Sequence, residues 1–251
     1  MREEEFISLL SESSATETGV ERLRAGVPLG VDSAGGVVFS QKRERTLTFR
    51  HTCVTGPKRT AFLRRLLVTL SCLYEKNEAN FFIISPKTEY GELMRLNGAD
   101  ITAPFIRSKN DLASAVACLK ELVQMYRSGQ KGYPRLILVA DGLEEIEGCN
   151  KNGDLEEYRE IFDVCMRVEN VEIFTGAELM RSIFSGYPGA FVGVGNCLVT
   201  TREDGKADVT YVGDDSSLSM PTPMTYPNSP SVTETLIFLN SLSKTNGEDA
   251  V

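Results

Sequence analysis

Residues 47–74 read LTFRHTCVTGPKRTAFLRRLLVTLSCLY. Leu47 to His51 has the character of a short strand, Thr55, Gly56 and Pro57 form a tight turn, and a helix follows. The helix is marked by Phe62, Leu66, Leu70 and Leu73, apolar residues recurring at helical spacing. Outward from this unit the pattern repeats. Phe81 to Ser85 is a continuous apolar run ending in Ser-Pro-Lys, the form of a strand buried on both faces of a parallel sheet. A helix is expected around Tyr90 to Arg95, then a connector through Pro104 and Phe105. Asp111 to Tyr126 is amphipathic, with Leu112, Val116, Leu119, Val123 and Tyr126 on one face, and Arg135 to Ala140 is the next buried strand, closed by Asp141. Strands alternating with helices imply a right-handed parallel α/β sheet whose functional edge lies at the strand C-termini.

The strand, glycine turn and helix occupy the place of a phosphate-binding P-loop, GxxxxGK[ST], in which glycines let backbone N–H groups close around phosphates and the hydroxyl holds magnesium. Anchored on Thr60, the two glycines become Cys53 and Lys58, and the lysine becomes Arg59. Anchored on Lys58, the glycines become Thr52 and Pro57, and the hydroxyl becomes Arg59. Either frame puts a side chain, or a proline without an N–H, where the backbone must approach phosphate. Asp141 ends an apolar strand in the manner of a Walker B acid, which holds magnesium through water. The next residue is Gly142 rather than a water-activating Glu, and Glu144 and Glu145 read as a solvated acidic loop.

Composition narrows the partners. The chain has 251 residues, 41% of them apolar, enough for one large α/β domain or two small ones. No apolar run approaches the ~20 residues that span a bilayer, and Arg-Glu-Glu-Glu after Met1 is unlike a signal peptide, so a soluble module is expected. Six scattered cysteines and one histidine argue against a zinc site and for reduced thiols. A net charge of -8 argues against a broad nucleic-acid surface. Glu3 to Leu10 is expected as a short helix, followed by a polar linker.

VPLGVDSAG, TGPKRTAFLRRLLVTL, FFIISPK, Pro104, ACLKELVQMYRS and LILVADGLEEI follow one another in an order and spacing that resembles the motor domain of FtsK/SpoIIIE-type P-loop ATPases. The family's Asp-Pro-Lys hallmark stands here as Ser85-Pro86-Lys87, and PSVTETLIFLNSL is similar to its last helix. The second half, short and without a basic cluster, and GNCLVTTREDGKADVTYVG, a hairpin turned at Glu203 to Lys206, look most like a degenerate C-terminal module of an EssC/EccC coupling ATPase of type VII secretion. The resemblance implies a P-loop NTPase-like, RecA/FtsK-type fold: a mostly parallel sheet flanked by helices, with a C-terminal β-hairpin. It divides the chain into an N-terminal helix and linker (1–26), the ATPase-like domain (27–242) and a polar tail (243–251). A catalytically inactive regulatory or substrate-docking module at the cytoplasmic face of a bacterial membrane is expected, with neighbouring ATPase modules of the same parent chain and a secreted protein's peptide as partners, and no nucleic acid.

The alternative is an ATP-binding, weakly hydrolysing motor domain of a DNA or protein translocase. In that case Thr55, Gly56, Lys58, Arg59, Thr60 and Asp141 form the nucleotide site, and Thr60 and Asp141 hold magnesium. Mg-ATP is otherwise not expected as a cofactor, and no residue is assigned to catalysis. Lys58, Arg59, Arg64 and Arg65 near a helix start read equally as an anion site or, for the two later arginines, as solvent-facing charges. Thr175 sits where the family senses the outer phosphate, but beside Gly176 a structural role is expected; His51 and Cys53 are expected to be structural rather than reactive. Met180, Ile183, Phe184, Tyr187 and Phe191 form a candidate peptide-binding surface, and Asp214 to Pro230 a loop over the nucleotide edge.

Overall fold

The structure, a computed structural model, describes residues 27–40, 49–74, 79–95, 100–104, 106–127, 135–149, 156–165, 168, 171–177, 195–212 and 218–226. The strand expected at Leu47 to His51 is β3, Phe49–Thr55. It runs through Cys53, Val54 and Thr55 because both flanks are paired: Val54 lies opposite Gly176 on β7 (Val171–Gly176) and Val199 on β8 (Gly195–Thr201). The turn therefore begins at Gly56, one residue later than expected. Helix α1 follows at Arg59–Leu73.

A ten-stranded sheet extends to both sides of β3. On one side come β7, β6 (Arg135–Asp141), β4 (Ala79–Ile84) and β5 (Asp100–Thr102), all parallel. On the other, β8 is parallel to β3, and the sheet continues antiparallel through β9 (Lys206–Val212), β10 (Thr222–Thr225), β1 (Pro28–Val31) and β2 (Val37–Phe39). β8 and β9 are the hairpin read from the sequence, turned through Glu203 and Asp204. β10 corrects one expectation. Part of the Ser/Pro segment is an ordered strand between β1 and β9 rather than a loop over the nucleotide edge.

Alternation along the strands divides the core. Ile137 and Val139 pack on one face with Phe62, Leu66 and Leu70 of α1. Leu136, Leu138 and Ala140 pack on the other with Leu112, Val116 and Leu119 of α2 (Lys109–Arg127) and Tyr158 and Phe162 of α3 (Glu156–Cys165). Phe62, Leu66 and Leu70 are fully buried, each contributing about 1.5–3 kcal/mol. α2 starts with a reciprocal cap: the Ser108 N–H donates to the Asp111 carboxylate at 2.9 Å, and the Asp111 N–H returns to the Ser108 hydroxyl at 3.3 Å. The helix expected near Tyr90 is instead a 3-10 segment, Thr88–Arg95, with the poor helix former Gly91 at its middle.

Among the described residues no helix is long and apolar enough to cross a membrane. The helix expected at Glu3 to Leu10, the candidate surface Met180, Ile183, Phe184, Tyr187 and Phe191, the closing helix within 230–242 and the tail at 243–251 lie outside the described residues.

Candidate functional site

The C-terminal edge of β3, β6 and β4 gathers the candidate residues. Thr55 is still paired to Thr200 and α1 begins at Arg59, so only Gly56, Pro57 and Lys58 separate strand from helix. This places Thr60 in the first helical turn and selects the Thr60 frame. Gly56 has φ of +100°, and a Cβ on it would lie 2.3 Å from the carbonyl oxygen of Thr201. Only glycine fits that close approach. The Thr201 hydroxyl donates to the Thr55 carbonyl at 2.9 Å and accepts the Lys58 N–H at 3.3 Å. The Arg59 N–H goes to the Gly56 carbonyl at 3.3 Å, and the Lys58 ammonium pairs with Glu203 at 3.2 Å. The amides of Lys58 and Arg59 thus face the protein's own hairpin and turn.

Asp141 is fully buried beneath this loop. The Thr60 hydroxyl donates to its Oδ2 at 2.7 Å, as does the Tyr90 hydroxyl at 2.9 Å, while Arg59 Nε donates to Oδ1 at 3.2 Å. Arg59 also reaches the turn after β6, where its Nη2 donates to Glu144 at 2.8 Å and Glu145 at 3.0 Å. Lys87 of the Ser-Pro-Lys turn pairs with Glu145. Glu144 therefore departs from the solvated loop expected from the sequence, because Arg59, long enough to bridge from α1 and carrying five donors, draws it inward, whereas Glu145 stays exposed as expected while pairing with the same guanidinium. Tyr158 supports the arrangement from α3, donating to the Gly176 carbonyl at 2.6 Å.

Burial pushes the Asp141 carboxyl above its ordinary range, against the opposing bonds from Thr60, Arg59 and Tyr90. Burial pulls Arg59 down, but Glu144 and Asp141 more than offset it and hold the guanidinium above its usual value. Burial, and then the Asp141 charge, raises Tyr90 far above an ordinary phenol, so it remains a donor.

The four cations near the helix start do not converge. Lys58 and Arg59 turn to the carboxylates already named, and Arg64 pairs with Glu92 at 3.3 Å. Arg65, read equally as part of an anion site or as a solvent-facing charge, is instead fully buried: its Nη2 donates to the Leu29 carbonyl at 2.6 Å, and its guanidinium stacks 4.8 Å from the Phe62 ring and 5.6 Å from that of Tyr226. Thr175, His51 and Cys53 form a separate buried group. His51 Nε2 lies 2.8 Å from Thr175 Oγ1, its ring packs edge-on to Phe162, and burial lowers its pKa to about 3. Burial raises the Cys53 thiol to about 12. Among the described residues no group of three or more His, Cys, Asp or Glu side chains is placed to hold a metal ion. Tyr90, Thr201 and Tyr158 belong to the site but carry no signal of a site role in the sequence, Tyr90 showing only as part of a helical pattern, whereas Lys87 stands in the Ser85-Pro86-Lys87 turn already singled out.

A P-loop NTPase-like α/β domain is what this sheet and edge define. No protein-family model matches the chain, and no curated protein does. Solved structures match its fold. The cytoplasmic domain of the Thermomonospora curvata type VII secretion ATPase EccC is 12% identical, with a TM-score of 0.56 over 82% of this chain and 27% of that one. A T. curvata EccC fragment holding ATPases 2 and 3, in complex with a signal sequence peptide, is 13% identical, with a TM-score of 0.54 over 87% of this chain and 43% of that one. The pCW3 conjugation coupling protein TcpA with ATPγS is 12% identical, with a TM-score of 0.50 over 88% of this chain and 70% of that one. The chain thus spans about a quarter to a half of the length of the EccC chains it matches.

Proposed function

We propose that this chain is a catalytically degenerate ATPase module, serving a type VII, ESX-like secretion ATPase as a regulatory or substrate-docking domain. The observation that carries this reading is the continuation of β3, paired to β7 as far as Val54 and to β8 as far as Thr55, which leaves three residues before α1. A triphosphate needs a longer, glycine-lined loop with free amides. Here Thr201 fills the space beside Gly56 and takes the Lys58 amide, and the acidic hairpin residue Glu203 pairs with the Lys58 side chain. Mg-ATP does not fit this arrangement, and no catalytic step is assigned to it. Neighbouring ATPase modules of a longer parent chain and a secreted protein's peptide are the proposed partners, at the cytoplasmic side of a membrane. Support comes from the fold shared with the cytoplasmic domain of EccC and with an EccC fragment that holds ATPases 2 and 3 in complex with a signal sequence peptide.

A second reading has one observation in its favour. The Thr60 hydroxyl and Asp141 carboxylate, 2.7 Å apart, keep the pairing through which an ATP-binding domain holds magnesium. The thermal midpoint with and without millimolar Mg-ATP separates the two. The pseudo-ATPase reading expects no shift. A ligand at ~100 times its dissociation constant stabilises by about 2.7 kcal/mol, which for a domain of this size raises the midpoint by about 5–11 °C, and such a shift overturns the reading.

A further inference from the structure

We propose that Arg59 is a built-in cation, lodged where its guanidinium clamps the strand ends of the site together, so that this edge is held in one conformation whether or not nucleotide is present. This deepens the pseudo-ATPase reading of the same site and rests on it.

The argument begins with charge. Asp141, Glu144 and Glu145 bring three carboxylates to one place, and Asp141 is fully buried. Carboxylates so close repel one another and need a cation, which a P-loop site obtains from magnesium with its bound phosphates. Here the chain supplies it. The Arg59 side chain is 12% exposed and donates to all three carboxylates. Its planar fork spans Asp141 on β6 and the Glu144–Glu145 turn at once, which a spherical ammonium does not do.

Connectivity makes the cation a clamp. Arg59 and Thr60 tie the start of α1 to Asp141. Glu145 passes the tie to Lys87 after β4, and Tyr90 closes the circuit from the 3-10 segment back to Asp141. Tyr158 joins the Leu143 amide, at 3.4 Å, to the Gly176 carbonyl at the end of β7. Among the described residues, the start of α1, the turns after β4 and β6, the 3-10 segment and the end of β7 are thereby bonded into one network, with Arg59 on its shared carboxylates.

Chemical rescue tests this. Arg59→Ala is expected to lower the thermal midpoint by more than about 5 °C, because it leaves the buried Asp141 carboxylate, with only neutral donors remaining, and Glu144 without their cation. Millimolar methylguanidinium should restore at least half of that loss in the variant and nothing in the wild type, while methylammonium at the same concentration should not. An unshifted midpoint, or rescue by methylammonium as good as by methylguanidinium, overturns the clamp. Should Arg59→Ala not fold, Arg59→Lys carries the test. The lysine keeps the charge but loses the fork, so amide hydrogen exchange at Leu143–Ile146 should rise; unchanged exchange there overturns the proposal. A shift of the wild type by Mg-ATP would instead sink the pseudo-ATPase reading, so the two failures are distinguishable.

Discussion

Gly176 exists to make room for Asp141. A Cβ built on Gly176 would lie 2.1 Å from Asp141 Oδ1 and 2.9 Å from a methyl of Leu63. The end of β7 thus yields its side chain so that the acid at the end of β6 can sit fully buried beside it. Gly176→Ala would force Asp141 away from Arg59, Thr60 and Tyr90, and the loss expected from a broken buried pair is about 3–5 kcal/mol. Urea unfolding measures it; a variant within 1 kcal/mol of wild type, by the roughly 1 kcal/mol scale of ordinary mutations, would show that Asp141 has another place to go.

Tyr90 offers a milder cut. Tyr90→Phe removes one donor to a carboxylate, a bond of about 1.5–3 kcal/mol, while leaving the ring in the core. Denaturant unfolding of the variant should show a loss in that range, and equal midpoints would mean the hydroxyl contributes nothing to holding Asp141.

Acid should act through His51. Its pKa is about 3 in the fold against an ordinary 6.5, so between those values the unfolded chain binds the extra proton and stability falls as pH falls. The contribution is complete above pH 6.5 and reaches a loss of about 2–3 kcal/mol by pH 4.5. Asp141 works in the opposite sense, since its carboxyl is held above the usual range and its protonation favours the fold. His51→Asn should therefore flatten the decline between pH 7 and 4.5. An unchanged slope in unfolding midpoints would assign the acid sensitivity elsewhere.

Thiol chemistry should follow burial. Cys118 is exposed on α2, whereas Cys53, Cys149, Cys165 and Cys197 are buried and Cys53 is pushed up to about 12. Iodoacetamide mapped by mass spectrometry should modify Cys118 in the native protein and leave those four until unfolding. Early labelling of Cys53 would mean that the edge of β3 opens.

The strand, turn and helix around Gly56, the parallel strands ending at Ile84 and Asp141, and the β8–β9 hairpin were all legible, because each is written in local periodicity and turn chemistry. The site was legible as a set of positions. Its bonding was not. Arg59 meets Asp141 across 82 residues and Thr201 meets Thr55 across 146, distances over which no spacing rule operates. Arg65 was misjudged for a related reason: beside Arg64 it looks like half of a charged pair, but neighbouring helical residues point in directions about 100° apart, and only one of the two faces the sheet. β10 went unread because prolines and serines mark loops, whereas Pro223 sits in a short strand that buries only Met224.

The pairing of Val31 on β1 with Thr225 on β10 joins residues nearly 200 positions apart in the chain. Such a contact closes a very long loop, and loop closure delays a contact even where it scarcely weakens it. During synthesis the parallel strands from β3 to β7 have all emerged before β10 exists, while β1 waits beside β2 with one edge uncovered. The antiparallel wing is therefore the last part of the sheet to close, and on a ribosome β1 stays unpaired on that edge until Thr225 has been made.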